Sequence, residues 1–270
     1  MRYIIDHDLH IHSGLSSCSN DENQNATTIL NYAKQNGLKT VCVTDHYFDS
    51  DVDGASSWYS TQNYEHIAKI LPLPTCDNVN FLFGCETELT KELVLGIPPK
   101  RYDNFKFIII PTTHFHMVGY TIPESAKDSV EEKVKLWISH LDAVLNMNLP
   151  FEKVGIAHIA CDLIFYKDKP RYKQLLDAIP QAEMERLFTK CAKLGVGIEI
   201  NRADFKYSEV EKDSVLRIFK TAKSCGCKFY LGSDAHHPSD FNETIYYFNK
   251  AIDDIGLTEN DKFDFYKLNK

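Results

Sequence analysis

The feature that most constrains the fold of this chain is a repeated alternation of strand-like and helical segments. Seven segments rich in Val, Ile, Phe or Tyr follow turn signals, and most are apolar on both faces: 2–12, 39–46, 80–88, 105–114, 153–159, 197–201 and 228–236. Strands of this kind are typical of parallel sheets covered by helices. Between them, apolar residues recur with helical period around 29–33, 134–144, 184–191, 215–222 and 242–255. The alternation predicts an α/β architecture.

Both a closed barrel and an open doubly wound sheet satisfy this pattern. No GxGxxG motif follows the first strand, which disfavours a dinucleotide-binding sheet. A chain of 270 residues can bury one large core, and we expect a single domain over residues 1–270. Segments 50–64 and 93–104 are predicted to be long loops.

All seven predicted strands carry His, Asp or Glu at or near their carboxyl ends, and at least seven of the 11 histidines lie there. Residues i and i+2 of a strand share a face, so His10 and His12 project together, as do Asp234 and His236. Imidazole and carboxylate groups are ligands of zinc, manganese and iron. The pattern predicts a site with two or three metal ions at the carboxyl ends of the strands. His66 and His140 fall in helical segments outside it.

The residues at these ends resemble the motifs of the PHP (polymerase and histidinol phosphatase) family. Asp8-Leu9-His10-Ile11-His12 looks like the opening motif of the family. The later motifs follow in the same order: Thr44-Asp45-His46, Gly84-Cys85-Glu86, the His114 region, Ala157-His158 and Gly232-Ser233-Asp234-Ala235-His236. The resemblance extends from about residue 4 to residue 240. It implies a distorted (β/α)7 barrel that holds up to three divalent ions of zinc, manganese or iron.

The resemblance also implies a division of the ligands among three metals. The first metal would be bound by His10, His12, Glu86 and Asp234. Glu86 would bridge to a second metal on His114 and His158, and a third would lie on His46 and His236. Many family members carry one further histidine for the third metal, but residues 13–21 contain none. Asp21 is the nearest oxygen donor in that stretch, and Cys18 is a softer sulfur donor.

A cluster of divalent metals suits the hydrolysis of phosphate esters, since metals activate water and neutralise phosphoryl oxygens. We hypothesise attack on phosphorus by a metal-bridging hydroxide, with Asp234 or His236 assisting proton transfer. Asp45 is the candidate that orients a liganding imidazole. The candidates for contact with the substrate share a place just beyond a predicted strand: Arg202, Lys206, Tyr47 and His116. His114 fits the ligand position of the family better than His116 does.

The expected substrate is a small phosphomonoester such as histidinol phosphate or a nucleotide. The net charge of −8 disfavours broad binding of nucleic acid, which leaves short oligonucleotides as possible substrates only. Two alternatives remain. An amidohydrolase-type enzyme would normally show a metal-bridging lysine at the fourth strand end and an eighth strand. A barrel that binds metals without catalysis would be expected to lose ligands.

The sequence also bears on the compartment of the protein. No apolar run reaches the length of about 18 residues that a membrane-spanning helix needs. Charged residues interrupt the first eight positions, which excludes a secretory signal there. The 8 cysteines are scattered without a CxxC pair, so we expect a reducing, cytoplasmic environment.

Overall fold

Parallel strands form the centre of the protein, which we describe from a computed structural model over residues 1–269. The strands are β1 (His7–Ile11), β2 (Thr40–Val43), β3 (His46–Tyr47), β4 (Asn80–Phe83), β5 (Cys85–Thr87), β6 (Ile108–Pro111), β7 (Val154–Ala157), β8 (Gly197–Asn201) and β9 (Lys228–Gly232). One parallel ladder has the order β1–β2–β4, and the other has the order β3–β5–β6–β7–β8–β9. All strand pairs in the two ladders are parallel, which confirms the predicted α/β architecture.

The nine short strands occupy the seven positions that the sequence predicts. Only Thr44 and Asp45 separate β2 from β3, and only Gly84 separates β4 from β5. A Cβ atom at Gly84 would lie 2.5 Å from the carbonyl oxygen of Phe107, so a side chain would push the strands apart at this kink.

The first and last strand positions lie side by side, which confirms the predicted distorted barrel. The amide of Asp234 donates to the carbonyl of His10 at 2.8 Å, and the amide of His12 donates to the carbonyl of Ala235 at 3.0 Å. These bonds lie at the carboxyl ends of β1 and β9. They bring the first and last sequence motifs into contact.

Seven α-helices within residues 1–269 follow or cover the strands: α1 (Ala26–Gln35), α2 (Tyr64–Ile67), α3 (Val130–Asn146), α4 (Lys169–Ala178), α5 (Gln181–Leu194), α6 (Lys212–Ser224) and α7 (Phe241–Ile255). The side chain of Asn25 caps α1 by accepting from the amides of Thr27 and Thr28. The five helices predicted from apolar periodicity are confirmed, α2 is the helical segment predicted around His66, and α4 was not predicted. Within the predicted loops, short 3₁₀ turns form at Tyr59–Thr61 and Pro99–Asn104.

The barrel interior is filled by apolar side chains. Residues 257–268, the C-terminal segment, close the barrel at the amino ends of its strands, which we call the lower end. Strand residues in this core include Leu9, Phe107 and Tyr230, and the segment adds Phe263, Phe265 and Leu268. A second and larger core packs the helices against the outer face of the strands.

The chain before β1 corrects the predicted extent of the first strand, which was 2–12. The amide of Tyr3 donates to the carbonyl of Leu257 at 3.2 Å, and Arg2 forms an antiparallel bridge with Thr258. These residues pair with the C-terminal segment below the barrel rather than with β2, because the chain turns outward before His7.

A polar cluster fastens this C-terminal segment to the start of β1. Lys262 Nζ lies 3.1 Å from both carboxylate oxygens of Asp6 and 2.9 Å from Glu259. His7 Nδ1 lies 2.8 Å from Asp6, and Glu259 accepts from the amide of Ile4 at 2.6 Å. Burial favours the neutral form of Asp6, but the contacts with His7 and Lys262 outweigh it and lower the pKa of this carboxyl. The cluster therefore holds an ionised carboxylate at the lower end of the barrel.

The structure can be compared with the predictions about membrane-spanning helices and about the state of the cysteines. Within residues 1–269, no helix is at once long enough and apolar enough to cross a membrane. All 8 cysteines lie in this part of the chain, and each is free.

Candidate metal centre

Glu86 lies at the centre of a polar cluster formed at the carboxyl ends of the strands. This residue of β5 is 1% exposed. Its Oε1 atom lies 3.0 Å from Nε2 of His158 and 3.9 Å from Nε2 of His114. Its Oε2 atom faces the other side, at 2.9, 3.4 and 3.6 Å from three imidazole nitrogens: His46 Nδ1, His12 Nε2 and His10 Nε2. The two oxygens of one carboxylate thus face two groups of imidazoles.

His10 and His12 direct lone pairs towards each other. His10 Nδ1 lies 2.7 Å from Oε1 of Glu199, so this nitrogen carries a proton and donates it. His12 Nδ1 donates to Oγ of Ser16 at 2.9 Å, because the Ser16 proton is donated to Asp45 Oδ1 at 2.7 Å. The lone pairs therefore lie on the two Nε2 atoms, which are only 3.1 Å apart. Such a contact needs a cation, either a proton or a metal ion.

Two further imidazoles are oriented in the same way. His114 Nδ1 lies 2.6 Å from Oε2 of Glu88, which also accepts from the hydroxyl of Tyr59 at 2.9 Å. His236 Nδ1 lies 2.9 Å from the backbone carbonyl oxygen of Asp234. In both rings Nδ1 donates, so Nε2 keeps the lone pair that a metal requires.

The ligand atoms fall into three groups, in each of which all atoms lie within 4.8 Å of one another. These groups are His10 with His12 and Asp234, Glu86 with His114 and His158, and His12 with His46 and His236. Glu86 connects the groups, because its Oε1 atom faces His114 and His158 while its Oε2 atom faces imidazoles of the other two groups. All eight metal ligands implied by the resemblance therefore come together. His114 lies in a group, whereas His116 does not.

Buried charge sets the protonation of this cluster. Burial opposes ionisation of Glu86, but His46 and His10 outweigh it and hold the pKa of this carboxyl well below its usual range. Burial likewise opposes protonation of His10, yet Glu199 and Asp234 raise the pKa of this imidazole well above its usual value. Burial and the neighbouring imidazoles lower the pKa of His12 well below its usual value. The carboxylates are thus ionised, and protonated imidazoles beside them balance their charge, in the place that a bound metal cation would take.

A second observation, independent of the grouping of the ligand atoms, also indicates that these residues fit divalent metal ions. Glu86 Oε2 is fully buried and accepts no hydrogen bond within the described residues, although His46 Nδ1 lies 2.9 Å away. An ionised oxygen that accepts no hydrogen bond is costly in a protein interior, and a bound cation would remove that cost. Two ligand-bearing positions also have left-handed backbones, with φ of +29° at His158 and +52° at Asp234. Backbone strain of this kind often marks functional sites.

A cavity of about 540 Å³ opens onto the cluster. The polar residues in its wall include Glu86, His114, His158, Asp234 and His236. The rest of the wall is largely aromatic and apolar: Trp58, Tyr59, Met117, Val118, Tyr120 and Leu163. The wall residues that the structure describes include no lysine and no arginine. The cavity therefore presents the metal cluster on one side and an uncharged surface on the other.

Of the four residues predicted to contact substrate, only His116 lines this cavity. Arg202 is 8% exposed, and its Nη1 atom donates to the carbonyl and carboxylate oxygens of Asp240 at 2.8 and 3.2 Å. Lys206 is paired with Glu243 at 2.8 Å. We therefore do not assign these two cations to the substrate, because each is held by a carboxylate outside the cavity.

We likewise do not assign Tyr47 to the substrate. Its side chain is fully buried, its hydroxyl donates to Asp49, and its ring packs against Phe105 at 5.1 Å. The side chain points away from the metal cluster, since it neighbours His46 in a strand and successive side chains alternate between faces.

Asp45 reaches a liganding imidazole only through a serine. Oδ1 accepts from the amide of Ser13 and from Oγ of Ser16, and Oδ2 accepts from Oγ of Ser13, each at 2.7 Å. This carboxylate thus acts on His12 through Ser16 rather than on its neighbour His46. It is a positioning residue, because three donors surround it and the wall of the cavity does not include it.

Sequence reasoning did not select Glu88, Glu199 or Ser16 as functional residues. The first two were detectable, since Glu88 lies two residues beyond Glu86 and Glu199 ends a predicted strand, where side chains face the same side of the sheet. Ser16 had no comparable signal, because it acts from a turn and its partners are 4 and 29 residues away.

Comparison with known proteins agrees with this geometry. The model of the PHP domain family matches residues 8–203. The chain belongs to the PHP family. A protein of Thermoanaerobacter sp. (strain X514) named "Probable phosphatase" is 27% identical over 236 residues, which cover 84% of this chain and 78% of that protein. A "Probable phosphatase" of Caldicellulosiruptor saccharolyticus is 25% identical, covering 77% of this chain and 72% of that protein.

A solved structure shows the same fold. It is the histidinol phosphate phosphatase of Lactococcus lactis subsp. lactis Il1403, solved in complex with zinc, L-histidinol and phosphate. The TM-score is 0.59 at 16% identity, and the match covers 96% of this chain and 98% of that one. The predicted family and fold are confirmed. Together with the cluster of imidazoles and carboxylates, the comparisons also confirm the prediction of a metal-dependent phosphoesterase.

Proposed function

We propose that this phosphoesterase removes the phosphate group from a small organic phosphomonoester, with histidinol phosphate and nucleotides as the leading candidates. The observation that carries the proposal is the position of Glu86, whose two oxygens face separate groups of imidazoles. A carboxylate placed in this way suits a bridge between two metals. Such pairs of metals are typical of enzymes that displace a group at phosphorus.

The ligands would be those of the three groups, and they would hold two or three ions of zinc, manganese or iron. The metals, when bound, would lower the pKa of a water molecule and neutralise the oxygens of the phosphoryl group. The imidazoles of His10, His12 and His114 are held in one orientation by Glu199, Ser16 and Glu88. Pre-orientation of this kind reduces the reorganisation that the reaction requires.

The most suitable proton acceptor at the cavity is Asp234. Its side chain is 23% exposed, whereas that of Glu86 is 1% exposed, so Asp234 is the more accessible to a water molecule. Its Oδ2 atom lies 3.4 Å from the amide nitrogen of Asn201, which fixes the carboxylate on its strand end. We assign the proton transfer to Asp234, and we place His236 among the ligands because its Nε2 lone pair faces the cluster.

His116 is the candidate for direct contact with the substrate. It lines the cavity, and its ring centre lies 5.4 Å from that of His114. Burial and the imidazoles of His114 and His158 lower the pKa of His116 to about 3. The imidazole is therefore neutral at pH 7 and would position the ester through a hydrogen bond rather than act as an acid.

The wall of the cavity favours a compact substrate. Without lysine or arginine in the described wall, the charge of the phosphate would be balanced by the metals alone. An oligonucleotide has additional phosphates that such a wall leaves without partners. The aromatic side chains of Trp58, Tyr59 and Tyr120 suit a flat or apolar group attached to the phosphate. The 8 free cysteines suit a reducing cytoplasm, in which we place the protein.

The test is a screen of phosphomonoesters, including histidinol phosphate and nucleotides, and of phosphodiesters with protein reconstituted in zinc or manganese. We expect release of inorganic phosphate from a monoester and loss of that activity in a variant carrying His10→Ala and Asp234→Ala. Glu243→Gln, an exposed substitution that does not line the cavity, serves as the control. Activity that survives the double substitution, or hydrolysis of diesters alone, would contradict the proposal.

A further inference from the structure

The turn between β1 and α1 is anchored so that Cys18 faces the cavity. Ser13 and Ser16 hydrogen-bond to Asp45, and the amide of Ser17 donates to Oε1 of Gln62 at 3.0 Å. On the other side of Cys18, Oγ of Ser19 donates to the backbone carbonyl of His236 at 2.5 Å. Cys18 therefore lies between fixed points rather than at the tip of a free loop.

The Cys18 side chain shares the cavity with two imidazoles. Cys18 is exposed, and it lines the same cavity wall as His46 and His236. Independently of Cys18, the ligand atoms of His46, His236 and His12 lie within 4.8 Å of one another. The His46 side chain is 9% exposed and that of His12 is fully buried, so this group is built into the protein. One exposed thiol and two imidazoles thus line the same cavity, and the imidazoles already belong to a group of closely spaced ligand atoms.

We propose that Cys18 ligates the third metal ion, as a thiolate, together with His46 and His236. This site extends the proposed metal centre and rests on it. Residues 13–21 contain no histidine, and the sulfur of Cys18 would act as the metal ligand in its place. Binding breaks the S–H bond and forms an S–metal bond, and the proton is released to solvent.

A thiolate changes which metal the third site prefers. Soft sulfur ligands select zinc over manganese, whereas the other two groups consist of imidazole nitrogens and carboxylate oxygens. Two imidazoles and one thiolate leave one position open in a tetrahedral zinc site. We therefore expect zinc to fill all three positions and manganese to fill only two.

The test uses cobalt in place of zinc, because a cobalt–thiolate bond gives a charge-transfer absorption in the near ultraviolet. The full chain is stripped of metal, reloaded with cobalt and titrated without any substrate, while the bound metal is counted by elemental analysis. We expect the thiolate band in the wild type, its loss in Cys18→Ser, and one bound ion fewer per chain in that variant. Cys18→His is expected to restore the third ion without the band.

Cys76→Ser is the matched control, since Cys76 is half-buried and outside the cavity, and it should keep both the band and the count. Circular dichroism confirms that each variant is folded. If Cys18→Ser does not fold, the wild-type and Cys18→His spectra still decide the question. A wild-type spectrum without a thiolate band overturns the proposal. That result leaves the phosphatase function intact, because the function is tested separately by phosphate release and by the double substitution at His10 and Asp234.

Discussion

At the scale of single residues, the metal centre depends on hydrogen bonds that fix each imidazole ring. His10, His12 and His114 each donate from Nδ1 to a different partner, and this leaves Nε2 available in all three. Groups that orient metal ligands typically contribute about tenfold to a hundredfold in metal affinity. The effect of these partners can therefore be measured without any knowledge of the substrate.

Ser13 and Ser16 allow a matched test of such a partner. Both hydroxyls donate to Asp45 at 2.7 Å, but only Ser16 accepts from His12. We expect Ser16→Ala to weaken metal binding by roughly tenfold or more, because His12 is no longer held in one orientation. Ser13→Ala should bind metal like the wild type and lose only about 1 kcal/mol of unfolding free energy. Competition with a chromophoric chelator measures the affinity, and equal losses in both variants would contradict this role for Ser16.

At the scale of elements, the strand ends must pack closely for their side chains to converge. Gly232, the last residue of β9, lies directly against the carboxylate of Glu199. A Cβ atom at this position would lie 1.9 Å from Oε1 of Glu199 and 2.8 Å from Cβ of His10. The absence of a side chain at Gly232 is therefore what lets Glu199 reach His10.

We expect Gly232→Ala to displace Glu199 and to weaken metal binding by about tenfold or more. The matched control is Gly197→Ala, at the opposite end of the barrel, where a Cβ atom would lie 2.9 Å from the ring of Tyr230. That change should cost roughly 1–3 kcal/mol of unfolding free energy through overpacking, with metal affinity preserved. Calorimetric titration with zinc, together with urea unfolding, separates the two effects. Unchanged zinc affinity in Gly232→Ala would refute the role assigned to the glycine.

The sequence predicted the parts of the site that follow from strand geometry. His10, His12, Glu86 and Asp234 were detectable because strands alternate their faces and parallel strands end at one edge. The helix α4 was missed because only a few of its side chains are buried. Residues such as Arg202 could not be assigned from sequence, since a loop cation finds its partner, here Asp240, only through the fold.

At the scale of the whole molecule, the metal cluster and the C-terminal segment stabilise opposite ends of one barrel. The upper end, at the carboxyl ends of the strands, contains carboxylates and imidazole lone pairs. These groups repel one another unless cations lie between them. The lower end is closed by apolar side chains and by the Asp6–Lys262 pair. Each end gives a prediction for stability.

Removal of metal should lower the melting temperature. A metal at a concentration a hundredfold above its dissociation constant stabilises the folded state by about 2.7 kcal/mol, which corresponds to roughly 5–10 °C for a chain of this size. Differential scanning calorimetry with and without a chelator measures the shift. The His10→Ala and Asp234→Ala double variant should respond much less to the chelator. A wild type whose melting temperature ignores the chelator would contradict a metal centre.

At the lower end of the barrel, Asp6 should make a pH-dependent contribution to the free energy of unfolding. Its pKa is lowered in the folded state, because contacts with His7 and Lys262 outweigh burial. The stabilisation is therefore present above the unfolded value of about 3.9 and is lost as the pH falls through the lower folded value. We expect Asp6→Asn to reduce the unfolding free energy by about 1–2 kcal/mol at pH 7.

The difference between the wild type and Asp6→Asn should stay nearly constant down to about pH 5 and shrink below about pH 4. Urea unfolding at pH 7 and at about pH 3 measures it, and Asp264→Asn, in an exposed pair with Lys267, is the control. If the difference in unfolding free energy grows on acidification, the prediction is wrong.

The lower closure of the barrel also has a consequence for how the protein is made. Translation exposes the strands from β1 to β9 before the residues that cover them from below, Phe263, Phe265 and Leu268. Until those residues leave the ribosome, we expect Leu9, Phe107 and Tyr230 to leave an apolar opening at the base of the barrel. We therefore expect the nascent chain to need a chaperone most after β9 has been translated and before these residues cover the opening.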